Sequence, residues 1–338
     1  MKTRKEQKDV YEMINNIILE KLQQGTMPWK KSWNTFGPAR NYITDKPYKG
    51  FNALLLGMMG ASFDYPLYMT FNQVKQLGGN IKKGSKSLPV IYWKMLYYSS
   101  RTSKAIILED LKKHDPDDIN TIPLLRYYSV FNINCAEGIE FKLPGGNYIN
   151  NPVERCESII QEMPDKPVII YSGDQPCYNA VKDEVKIPDI NNFTSEAEYY
   201  AALFHELSHS TGHQTRLNRE TLSEPAFYAS KNYCLEELVA EIASCFVCNE
   251  AGIMDETIEN SASYIDFWQA SLKVMLKEDK RFFIKASSEA QKAADYILNM
   301  IEEKVNSSAV GKRKLSLNSI IPELAQKRLP KYEKPFLN

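Results

Sequence analysis

The stretch YYAALFHELSHSTGH, residues 199–213, decides how the second half of this chain folds and what chemistry it can carry. It holds three of the chain's four histidines, and its first twelve residues lack Gly and Pro, so a helix is expected over about Ser195–Gly212. On a helix, positions i and i+4 stand one turn apart on one face. His205 and His209 can therefore grip one metal ion, and Glu206 stands beside it as a general base, which is the logic of HExxH. A third protein donor is still needed. A histidine six positions past His209 would serve one class of such sites, but Thr215 is there, which excludes that class. His213 has rotated off the ligating face and reads as a capping or packing residue at the helix end.

Downstream, the helical run CLEELVAEIAS (234–244) offers Glu236, Glu237 and Glu241, of which Glu237 and Glu241 share a face. This spacing resembles the ExxxD or ExxxE arrangement of the gluzincins. That resemblance implies Glu237 as third ligand and Glu241 as the carboxylate holding His205 by its other ring nitrogen. Glu236 points about 100° away from Glu237 and is expected to leave the metal untouched. A purely structural metal site is the bland alternative, but it has no use for Glu206. Zinc is the expected ion, with another divalent transition metal as the variant. Cys245 and Cys248 lie inside the same predicted helix with no second CxxC and read as apolar packing.

Outward from this segment the charge is uneven. Residues 1–100 carry 15 Lys and Arg against 6 Asp and Glu, a net of +9, and the rest of the chain balances it to zero. Segregation of this kind calls for an anionic partner at the front. Trp29, Trp33 and Trp93 fall in the basic part, and cations with interleaved flat rings are what single-stranded nucleic acid requires. The expected contacts are Trp29, Lys30, Lys31, Trp33, Arg40, Tyr48, Lys49, Lys82, Lys83, Lys86 and Trp93. A core role for the tryptophans is the competing reading.

The front half reads as an amphipathic helix over 6–24, an aromatic basic loop, and strands at Leu88–Tyr98 and Arg126–Ile133 separated by an exposed, acidic excursion. Gly, Pro and Asn mark Leu143–Pro152 as the linker. Beyond it come a helix at Val153–Met163, a strand at Pro167–Tyr171, a hairpin at Cys177–Ile187, the two metal helices, and further helices over 261–303. Residues 306–338 form a basic tail. No apolar run reaches the roughly 20 residues a spanning helix needs, the N-terminus lacks an export signal, and six scattered cysteines fit reduced thiols, so a cytoplasmic protein is expected.

From about Val10 to Leu298, apart from the excursion at Arg101–Leu125, the chain is similar to the ArdC-type antirestriction proteins of conjugative plasmids. The matching blocks are PWKKSW (28–33), YKGFNALLL (48–56), MTFNQVKQLGGNIKKGSKS (69–87), VIYWK (90–94), YSVFNINCAEGI (128–139), YNAVKDEVKIP (178–188), the HELSHSTGH segment, RLNRE (216–220), YCLEELVAEIAS (233–244) and AQKAADYIL (290–298). The turn KGSKS departs from the family by having Ser85 and Ser87 where an acid and a glycine are usual. The resemblance implies an α+β protein with an N-terminal single-stranded-DNA-binding domain (1–145) and a zincin-like metallopeptidase domain (153–305). It also implies single-stranded DNA and a protein substrate as partners, in defence of a mobile element against restriction. Tyr228 and Tyr233 are the nearest oxyanion candidates. A metal-dependent nuclease is the remaining rival, disfavoured because such sites draw on more oxygen donors.

Overall fold

The computed structural model describes residues 9–29, 37–143, 151–223, 230–253 and 262–300. Contacts divide it into two compact units. One combines Met1–Tyr92 with Tyr127–Ile301, and the other is built on Trp93–Arg126. The expected contacts Lys30, Lys31 and Trp33, together with Tyr228 and the basic tail, lie outside the described residues.

Helix α1 (Val10–Gln23) starts where Asp9 accepts a hydrogen bond from Tyr11 N and ends before Gly25, whose φ of +70° a side chain would resist. It buries Val10, Ile14, Ile18 and Leu22, one stripe at four-residue spacing. After β1 (Arg40–Asn41), the apolar run becomes α2 (Phe51–Met59), buried on nearly every side. Next come β2 (Leu67–Thr70) and α3 (Phe71–Gln76), the latter opened by a Thr70/Gln73 capping box. The strands β3 (Asn80–Ile81), β4 (Leu88–Ser99), β5 (Ala105–Ile106), β6 (Ile119–Asn132) and β7 (Ala136–Glu137) complete the front half. The main sheet has the order β1-β2-β6-β4-β5, with β2 antiparallel to β6 and parallel to β1. Alternation along β2 sends Tyr68 to one face, where it packs with Leu56, Leu88, Val90 and Val130. Leu67 and Met69 go to the other face, against Val74 and Ile133.

The second unit differs from expectation. The segment after Arg101 is not a free excursion: β6 begins at Ile119 and not at Arg126, and two short 3-10 turns lie between β5 and β6. Asp118 gathers this end by accepting bonds from Ser99 Oγ, Ser100 Oγ and Arg101 N at 2.8–3.0 Å.

In the back half, α4 (Pro152–Glu162) precedes β8 (Val168–Tyr171), β9 (Cys177–Asn179) and β10 (Glu184–Ile187). These form a sheet of order β8-β10-β9, in which β8 is parallel and β9 antiparallel to β10. Helices α5 (Glu196–Ser210), α6 (Glu220–Ser223), α7 (Lys231–Ala251), α8 (Ala262–Glu278) and α9 (Phe282–Ile297) follow. Helix α7 is buried along most of its length and packs on both α5 and α9.

Within the first unit the two halves of the chain share a core. Helix α1 packs on α8, and Asn15 Nδ2 donates to Lys280 O at 3.1 Å. Trp29 is fully buried, edge-on to Trp268 at 5.2 Å and beside Phe283 at 5.9 Å. The expected stacking role for Trp29 is therefore corrected: its ring fills a core position that no base can reach. Gly50 N donates to Gln291 Oε1 at 2.6 Å, and Phe51 meets Phe283.

Candidate metal centre

Helix α5 is capped by Ser195, which accepts from Glu198 N, and anchors itself through buried Tyr199, Tyr200, Leu203, Phe204 and Leu207. That leaves His205, Glu206 and His209 on the wall of a cleft of about 490 Å³, which is also lined by Glu236, Glu237 and Tyr233 of α7 and by Pro176, Cys177 and Tyr178 at β9. With Thr221 and Leu222 of α6, the structure thus gathers residues from four separated segments.

His205 Nε2 and His209 Nε2 are 3.1 Å apart. Glu237 reaches them with Oε2 at 3.6 Å from His205 and Oε1 at 3.8 Å from His209. Among the described residues these three form the one set of donors close enough to share an ion. A tetrahedral ion with metal–ligand bonds near 2.1 Å sets its donors about 3.4 Å apart. The observed separations bracket that value, and two imidazoles with one carboxylate are a suitable donor set for a divalent transition metal. Electrostatics agree. Burial alone would lower the His205 pKa, but the Glu237 carboxylate, with the charges of Glu241 and Glu206, outweighs it and raises it to about 9. For Glu237, burial pushes upward and the two imidazoles pull further down, leaving it below the ordinary carboxylate range. The cleft attracts positive charge.

Behind the donors, Glu241 acts on His205 through its charge. A second carboxylate stands behind the other imidazole. Glu236 Oε1 lies 3.3 Å from His209 Nδ1, so Glu236, which is not among the three gathered donors, meets one of them from behind. Glu236 is buried and held by Arg219, with Nε to Oε2 at 3.0 Å and NH2 to Oε1 at 2.5 Å, and by Thr221 Oγ1 at 2.6 Å. Burial would raise its pKa, but the His209 bond and the Arg219 charge hold it far below the usual range. Sequence reasoning missed this pair because a 100° offset excludes a second ligand without excluding a partner on the ligand's far side. The buried arginine in RLNRE was the available signal.

His213 turns away, its Nδ1 2.8 Å from Thr215 Oγ1, and Cys245 and Cys248 are buried in α7, as their bland readings expect. A second buried arginine braces the strand beside the cleft. Arg216 forks onto Asp183 at 2.8 Å through both terminal nitrogens, and also donates to Asp165 O and to Ser210 O at the end of α5. Tyr178 OH donates to the same Asp183. The β9–β10 turn is thereby tied to α5, with β9 left as the sheet's edge beside the cleft.

The expected front-half contacts are scattered. Lys82, Lys83 and Lys86 are exposed around the turn after β3, Lys82 Nζ donating to Asn134 O at 2.9 Å. Lys49 is exposed, with Asp295 at 3.8 Å. Arg40 faces Asp45, and Tyr48 is half-buried against the Leu56/Tyr68 cluster. In the second unit Trp93 is 47% exposed. Sequence reasoning passed over Tyr92, Tyr127 and Tyr128, all exposed; the rings of Tyr92 and Tyr128 lie 6.0 Å apart on β4 and β6. The signal for Tyr92 and Tyr128 was an aromatic residue continuing the period-two pattern past Val90 and Val130.

Residues 8–131 match the model of the N-terminal domain of the anti-restriction factor ArdC, and residues 154–289 match a zincin-like metallopeptidase model. Two E. coli proteins called DNA primase TraC are 32% and 31% identical over 307 and 318 residues. They cover 88% and 90% of this chain, and the chain spans only 20% and 29% of their length. The crystal structure of the antirestriction ArdC protein from plasmid R388 in its Mn(II)-bound form is 30% identical, with a TM-score of 0.65. The match covers 86% of this chain and 97% of that one, and the metal-free form agrees equally well in TM-score. With both halves matched in order, and a solved relative matched over nearly its whole length, this α+β chain belongs to the ArdC antirestriction family.

Proposed function

We propose that the chain binds single-stranded DNA through residues 1–145 and hydrolyses peptide bonds in residues 153–305 at a zinc ion held by His205, His209 and Glu237, in the service of antirestriction. The observation that carries the second half is the close approach of those three side chains, 3.1–3.8 Å between donor atoms, with Glu206 on the wall of the same cleft. A divalent ion there supplies Lewis acidity toward a peptide carbonyl and toward water. Glu206 takes the proton of the attacking water and returns it to the leaving amine. The edge of β9 offers backbone groups to an extended peptide, and Tyr233 is the remaining described candidate for steadying the developing oxyanion.

The DNA half is supported by the excess positive charge of residues 1–100, by the lysines of the turn at 82–86, and by exposed Tyr92, Tyr127 and Tyr128, which take the stacking role that buried Trp29 cannot. No helix of the described residues is long and apolar enough to cross a membrane and no disulfide joins the six cysteines, which supports a cytoplasmic setting.

Elemental analysis of the full chain, paired with an unstructured protein substrate, tests the metallopeptidase reading. Wild type should carry about one zinc and cleave, whereas Glu206→Gln should carry the metal and not cleave. Metal without cleavage in either protein would favour a structural site, and cleavage of DNA that Glu206→Gln abolishes would favour the nuclease.

A further inference from the structure

Arg219 is almost fully buried and touches no part of the cleft's open surface, yet nearly all of its donors are committed to groups behind the metal donors. Besides the two bonds to Glu236, it donates to Thr211 Oγ1 at 2.6 Å and to the carbonyls of Ser208 at 2.9 Å and His209 at 3.3 Å. It therefore sits at the C-terminal end of α5, where unsatisfied carbonyls favour a cation. Glu236 is saturated in turn: Arg219 and Thr221 occupy both oxygens, and the remaining contact is His209 Nδ1. Facing an acceptor-only carboxylate, that ring nitrogen carries the hydrogen, which leaves the lone pair on Nε2, the atom 3.1 Å from His205 Nε2.

The chain makes room for this arrangement. After α5 it folds back through Leu217 N to Thr211 O, Asn218 N to His213 O and Arg219 N to Gly212 O, with Asn218 left-handed at φ +48°. A Cβ on Gly212 would stand 2.8–3.1 Å from three atoms of the guanidinium, so only glycine admits the arginine at that depth. The glycine of HELSHSTGH and the second arginine of RLNRE thus serve one feature.

We propose that Arg219 is a positioning residue for the metal centre: by clamping Glu236 against His209 it fixes that imidazole as an Nε2 donor and thereby sets the affinity of the site for divalent metal. This rests on the reading of His205, His209 and Glu237 as the metal ligands.

The test uses the full chain and two independent variants, because Arg219→Met alone strands a buried carboxylate and threatens folding. Arg219→Met/Glu236→Gln removes both charges together, and Gly212→Ala keeps every charge while displacing the guanidinium. Zn2+ and Mn2+ affinities are read by competition with a chromogenic chelator. Melting of the metal-free protein checks the fold, and 15N shifts of the His209 ring report its tautomer. Cooperatively melting variants with metal affinity about 10- to 100-fold weaker, and a mixed His209 tautomer, are expected. Unchanged affinity and a single Nδ1–H tautomer in either folded variant would overturn the proposal and leave Arg219 as a structural tie. Glu237→Ala separates this from failure of the metal reading itself: if its affinity equals that of wild type, the ligand assignment falls first.

Discussion

At the scale of single residues, burial decides which of two chemically identical readings is true. Trp29 lies among cations and aromatics, the composition of a nucleic-acid surface, and nothing local distinguishes a ring that stacks on bases from one that fills a core. The difference resides in Trp268 and Phe283, far along the chain. Trp29→Ala should therefore cost about 3–5 kcal/mol of stability in urea unfolding, whereas Trp29→Phe should fold and keep its affinity for single strands. A Phe variant that is stable but loses DNA binding would return Trp29 to the interface. The histidines were legible for the opposite reason: their spacing is local, and a helix turns i, i+4 into proximity without help from the rest of the fold. Glu237 followed from spacing and a resemblance, but Glu236 and Arg219 did not, since their role depends on a chain reversal between residues 211 and 219 that no periodicity announces. As an expected outcome, Glu237→Ala should lose most of its metal in elemental analysis, while Glu236→Gln should retain the ion at weaker affinity.

At the scale of elements, helices with a buried stripe were read to within a few residues, while strands were read less well where both faces are exposed. Ile119–Leu125 contains Pro123, and most of its side chains are open to solvent, so no alternation marked it as the start of β6. The hairpin at β9 and β10 was legible, but what fixes it beside the cleft was not: Arg216 reaches it from beyond α5. This clamp carries a pH signature. Burial would raise the Asp183 pKa, but Arg216 and Tyr178 outweigh it and hold it below the ordinary carboxylate range. A carboxylate depressed in the folded state adds stability above its unfolded pKa, and that contribution is lost as pH falls through the folded value. Asp183→Asn should accordingly be less stable than wild type at pH 7, and the gap in urea midpoint should shrink steadily below about pH 4. A gap that stayed constant down to pH 2 would remove Asp183 from the clamp.

At the scale of the molecule, charge and packing divide the chain differently. Charge separates a front of +9 over residues 1–100 from a back of −9, and the two family models divide somewhat later, between residues 131 and 154. Packing joins them: α1 lies on α8, and Trp29, Gly50 and Phe51 meet residues of α8 and α9 within one compact unit. A fragment ending near residue 145 would expose Trp29 and the buried stripe of α1, so DNA binding is better tested by substitution in the intact chain than by truncation. Two sets of variants then separate the activities. Replacing Lys82, Lys83 and Lys86 with alanine should weaken single-strand binding and flatten its dependence on salt, because each lost phosphate contact releases about one counterion fewer. Metal content should not change, since none of the three lysines lines the cleft. Glu206→Gln should leave single-strand affinity within about twofold, as expected for a distant, independent site. Both measurements use the same folded protein, so a failure is informative. If Glu206→Gln abolished DNA binding while the chain melted normally, the cleft itself would be engaging nucleic acid, and the division of labour drawn from the charge would have to be abandoned.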